Sequence, residues 1–181
     1  MSYLLAYFVF QTGSFTAITF IATWFNHSFG LSLANISTVI IAIGAGNLAG
    51  SLLGSHIVKR FGLQKTFKTE LMTLVILYVA LLFVHHFWMV EVLLTIIYMN
   101  NGFIFPLFMT TLQSTVENAR STISSLSNAV MYLGETIAGI VGGILFEQFT
   151  GFSGIAVFAA VMIALSLLLY YQAGAFKKVD N

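Results

Sequence analysis

A chain of 181 residues that is 59% hydrophobic and only 7% charged lacks the polar surface of a water-soluble domain. Its net charge of +1, with no basic stripe, argues against a nucleic-acid partner. The absence of cysteine excludes disulfides and thiolate metal sites.

Crossing the ~30 Å hydrocarbon core takes about 20 mostly apolar residues per helix. Six segments supply them, at roughly 3–26, 33–58, 67–86, 88–113, 122–146 and 153–174. The breaks between them are short, so residues 1–181 read as a single six-helix transmembrane bundle, an all-α membrane protein. The apolar start, Met1 to Phe10, has neither a basic flank nor a small-residue cleavage site, so a removable signal peptide is not expected.

In the first segment Thr12, Thr16, Thr19 and Thr23 recur at spacings of four, three and four and share a face, with Gln11 and Ser14 beside it. An amide such as Gln11 is costly against lipid, which favours a cavity. The rival reading is that the threonines bond to carbonyls of their own or a neighbouring helix. The second segment carries Ala42, Gly46, Gly50 and Gly54 four apart, a small-residue face on which a second helix can approach at backbone distance. It ends in a basic hinge of Lys59, Arg60, Gly62, Lys65 and Lys68.

The fourth segment places Tyr98, Asn101 and Phe105 on one face, with Asn100 and Gly102 nearby and Pro106 expected to kink the helix. Tyr98 and Asn101 are candidates for solute binding or, equally, for interhelical hydrogen bonds. The fifth repeats a small stripe at Gly134, Ala138 and Gly142. Glu135 lies about 20 Å along this helix at 1.5 Å per residue, and an acid at that depth is by default a functional candidate. The alternative is an acid hydrogen-bonded within the bundle. Glu70, Glu91, Glu117 and Glu147 fall near helix ends, where snorkelling suffices. None of His27, His56, His85 and His86 lies mid-span, so no haem or metal site and no cofactor is expected.

All seven basic residues (Lys59, Arg60, Lys65, Lys68, Arg120, Lys177 and Lys178) fall on one side of the six crossings. The positive-inside bias makes that side, and both termini, cytoplasmic in a multi-pass protein of the cell membrane.

The hinge Ser55-His56-Ile57-Val58-Lys59-Arg60-Phe61-Gly62-Leu63-Gln64-Lys65 resembles the major facilitator superfamily loop pattern G-x-L-a-D-R-x-G-R-R. Arg60, Gly62 and Lys65 match, while Ser55 replaces the first glycine and Lys59 the aspartate. Gly134 to Gly143 is similar to the antiporter pattern g-x-x-x-G-P-x-x-G-G, with Ala138 for a glycine and Gly139 for the proline. Asn118 to Thr122 resembles the P-x-x-R-G-T that enters the eleventh helix of such transporters, without its proline or its glycine.

The resemblance is to the C-terminal six-helix half of a drug-efflux-type member. It implies a 3+3 inverted repeat and a secondary transporter, not an enzyme, that moves a small amphipathic solute by alternating access, proton-coupled. It also implies a cavity lined by Gln11, Thr12, Thr16, Thr19, Tyr98 and Asn101 and a gating loop at Arg60, Gly62 and Lys65; by its depth alone Glu135 is the proton-coupling candidate. Gly46, Gly50, Gly54, Gly134 and Gly142 would serve helix packing. Beyond the lipid bilayer and the solute, the expected partner is a second six-helix half or a second copy, bordered by helices two and five. The competing expectation is a non-transporting membrane partner or scaffold built from close-packed helices alone. An intramembrane serine protease would need a serine and a histidine at depth, and no histidine qualifies.

Overall fold

Punctuation residues decide where the apolar segments stop. The computed structural model describes residues 2–114, 120–149 and 151–176, and they form six helices. They are α1 (Ser2–Phe29), α2 (Leu33–Phe61), α3 (Leu63–Leu81), α4 (Phe87–Gln113), α5 (Arg120–Gln148) and α6 (Ser153–Gln172). Ser32 caps α2, its side chain accepting the Asn35 N–H. At the other end Gly62 takes φ 83°, a backbone state that a side chain disfavours, and its N–H bonds the Val58 carbonyl. That single residue separates α2 from α3.

The reversal at Gly62 explains the largest boundary shift. Expected at 67–86, the third helix begins at Leu63 and ends at Leu81, so Lys65 and Lys68 stand on helix rather than loop. Five helices are long and apolar enough to cross a membrane by length and composition. The other, α3, spends part of its 19 residues on Lys65, Lys68 and Glu70, yet buries Phe67, Leu71, Leu74, Tyr78 and Leu81 along one face. Helix α4 runs through Pro106 to Gln113. Glu117, Asn118, Ala119, Lys177 and Lys178 lie outside the described residues.

Packing follows the small-residue stripes. On α2, Gly46, Gly50 and Gly54 face Thr95, Met99 and Phe103 of α4, and Gly102 of α4 faces the Asn47 carbonyl in return. On α5, Gly134 faces Thr12 and Gly142 faces Thr16 and Phe20 of α1, while the Ala138 carbonyl accepts a bond of 3.5 Å from Thr16. Thr95, Met99 and Phe103 repeat the spacing of Thr12, Thr16 and Phe20, and the two glycine stripes repeat each other. So α2 on α4 and α5 on α1 are one arrangement used twice, which is the 3+3 repeat seen as contacts.

Aromatic clusters close the two ends of the bundle. At the hinge end Phe108 meets Tyr7, Phe10 and Phe67 at 5.1, 4.4 and 5.0 Å. At the far end Trp24 stacks on Phe152 at 4.3 Å, and Phe25 and Phe29 meet Phe87. Beside the hinge-end cluster α1 is held to α6 by the Ser166 hydroxyl, which donates to the Ala6 carbonyl at 2.7 Å. Helices α2 and α5 turn only a narrow stripe inward and leave large apolar side chains exposed on their other faces.

Candidate solute-binding recess

Between these end clusters, α1, α2 and α4 part to leave two adjoining recesses of about 270 and 320 Å³. The first is lined by Gln11, Ser14, Asn47, Ser51, Tyr98 and Asn101 among aromatic and apolar side chains. Ile18, Asn47 and Tyr98 also border the second, which is otherwise aliphatic. Neither wall carries a formal charge.

The polar residues are fixed before any solute arrives. Ser14 donates to the side-chain Oδ1 of Asn101 at 2.9 Å, tying α1 to α4, and the Asn101 Nδ2 donates to the Ile97 carbonyl of its own helix at 3.1 Å. Asn47 donates to the Tyr98 carbonyl at 3.2 Å, tying α2 to α4. Gln11 donates to the Tyr7 hydroxyl at 3.1 Å. Held amides present their remaining polar atoms in set directions, which suits recognition. The Tyr78 hydroxyl lies beside Ser14, Tyr98 and Asn101. Neither the Tyr78 nor the Tyr98 hydroxyl, however, makes a hydrogen bond of normal length and angle among the described residues.

Gln11, Tyr98 and Asn101 thus stand on the recess wall, and Asn101 also makes the interhelical bond that was the rival reading for it. The threonine face of α1 does not. Thr12 and Thr16 are buried against the small stripe of α5, and Thr19 is exposed away from the recess. All three hydroxyls bond the carbonyl four residues back, at 2.9, 2.7 and 2.8 Å. The physical reason is that a short β-branched side chain back-bonded to its own helix satisfies its hydroxyl and fits under the glycine stripe of α5. Asn47, Ser51 and Tyr78 enter the site unannounced. The available signal was Asn47, an amide in mid-span one residue past Gly46.

The acids also need correction. Glu91 does not snorkel: it is 8% exposed, and neither carboxylate oxygen has a hydrogen-bond partner among the described residues. It shares a face with Leu94 and Tyr98, the face α4 turns into the bundle. Glu70 is half-buried, borders a small pocket with Gly50, Met99 and Asn100, and buries its Oε2 without a hydrogen-bond partner among the described residues. Glu135 is exposed on α5, at the flank of the Gly134 stripe, and is not bonded within this bundle among the described residues. At the hinge Arg60 lies over the Phe61 ring at 5.4 Å, and Arg60 and Lys65 are both exposed.

A family model described as Major Facilitator Superfamily matches residues 3–180. A protein of Bacillus subtilis (strain 168), described as the uncharacterized MFS-type transporter YceJ, is 38% identical over 167 residues. That alignment covers 92% of this chain and 43% of the relative. Among solved structures, a peptide transporter POT crystallised with sulfate superposes with a TM-score of 0.83 at 16% identity, over 97% of this chain and 37% of that one. The chain therefore spans less than half the length of either.

Proposed function

This chain belongs to the Major Facilitator Superfamily, and from that membership we propose that it is one six-helix half of a secondary transporter whose small amphipathic solute binds the α1–α2–α4 recess. The observation that carries this reading is the uncharged, pre-bonded polar wall flanked by Phe10, Phe15 and Phe105. Such a wall offers hydrogen bonds to a polar group and ring faces to an apolar one. Alternating access then needs a second wall, supplied by another half or a second copy against the open faces of α2 and α5. Glu135, on the open face of α5, is the acid we assign to proton coupling across that boundary.

Asn101→Ala tests the recess. Losing its contacts with solute should raise the half-saturation concentration for exchange of an amphipathic dye about tenfold, the equivalent of one net hydrogen bond. Thr19→Val, off the recess, should leave it unchanged. Equal half-saturation in both variants would remove the recess as the binding site.

The basic end we assign to the cytoplasm, because Lys59, Arg60, Lys65, Lys68 and Arg120 gather there. A cysteine placed at Gln64 should resist an impermeant thiol reagent in intact cells, and one at His86 should react. The opposite labelling would invert the topology.

A further inference from the structure

We propose that Glu91 is a proton-binding site of this half, loaded in the conformation seen here and emptied when the far end of α4 parts from its neighbours. This rests on the transporter reading above and adds a site to it. Three observations meet at this residue. Glu91 is buried, its two carboxylate oxygens are unpartnered among the described residues, and it lies two turns, about 10 Å, from Tyr98 on one face of α4.

The surroundings offer an ionised carboxylate nothing. Packed against the far half of α4, α2 contains no titratable residue from Leu33 to Leu53. Helix α3 contributes Tyr78 and α4 itself Tyr98. The turn between α3 and α4 contributes His85 and His86, both exposed, and α1 contributes His27, whose ring lies against Phe146. None of them bonds either oxygen of Glu91. Nor does any group of three His, Cys, Asp or Glu side chains that could hold a metal ion exist among the described residues. An isolated charge in such a place is far costlier than the neutral acid.

Ionisation therefore requires water or a counter-charge to reach Glu91, and that requires α4 to separate from α1, α2 or α3 at this end. Proton release and opening become one event, and the recess on the same face of α4 is reshaped by it. A proton taken from water converts the carboxylate to the acid, and the same proton leaves when the end reopens.

Infrared difference spectra of the reconstituted protein, recorded between acid and alkaline pH, read the carbonyl stretch of a buried carboxylic acid directly. Wild-type protein should show that band, Glu91→Gln should lose it, and Glu135→Gln should keep it. A Glu70→Gln/Glu135→Gln double variant, which spares Glu91, should also keep it, and this arm holds even where Glu91→Gln fails to fold. In proton-driven accumulation of an amphipathic dye, Glu91→Gln should lose uphill transport and keep exchange. A band that survives Glu91→Gln, or is missing from the double variant, overturns the proposal. Absence of any dye transport by wild-type protein would instead count against the transporter reading, with the band still deciding Glu91.

Discussion

Gly50→Ala should destabilise the folded protein by about 3 kcal/mol, the upper range for a residue forced into a packed core. An added Cβ at Gly50 runs into the Met99 backbone carbonyl of α4, and backbone cannot turn aside as a side chain does. Relief would require α2 to move off α4, which also breaks the Asn47 bond to Tyr98 and opens the Gly102 contact. The same chemical change at Gly44, six residues earlier in α2, meets nothing within 4 Å. There the usual helix preference for alanine over glycine should add about 1 kcal/mol. Gly139 on α5 is also free of neighbours and should behave like Gly44. Phe83→Leu, at a side chain 77% exposed, should be near neutral. Thermal unfolding in detergent compares the four variants. Matching transitions for Gly50→Ala and Gly44→Ala would mean that the α2–α4 approach is looser than described.

That contrast also marks what a sequence can and cannot convey. Spans, hinge and small stripes are local patterns: Gly62 between two apolar runs, or glycine every fourth residue, constrains the backbone whatever surrounds it. The partner of each stripe is not local. Helices two and five are expected to border a second half; their glycine faces pack inward on α4 and α1, and it is their other faces that stay open. The threonines of α1 misled for the same reason. Period alone puts Thr12 and Thr16 on one face, but which neighbour that face meets depends on the rotation of α1, set by Gly13 against Met162 and Ala159 of α6. Glu91 was assigned to a helix end by counting residues. Its burial follows from its place on the face with Leu94 and Tyr98 that α4 turns into the bundle, which no count of residues contains.

The chain purified as a monomer should carry no solute flux above that of empty vesicles. The recess is walled by α1, α2 and α4 with Met131 of α5 at its edge, and Ser14, Asn47 and Asn101 are each only part-buried on it. A carrier must close that wall from the other side in every state, or ions and water pass beside the solute. On the half-transporter reading proposed above, the second wall belongs against the open faces. Leu48 and Leu52 of α2 are 61% and 67% exposed, and Tyr132 and Ile140 of α5 are 62% and 63% exposed, with Glu135 between the last two. Apolar side chains alone could rest on lipid, but Glu135 costs about 3 kcal/mol there without a partner. A second half or a second copy bringing a hydrogen-bond donor would remove that cost. Flux should therefore appear only in assemblies that contain another six-helix unit. The test is to fix the mass of the reconstituted species, then measure dye exchange for monomer and assembly separately. Exchange by a species shown to be monomeric would sink this expectation and the half-transporter reading with it.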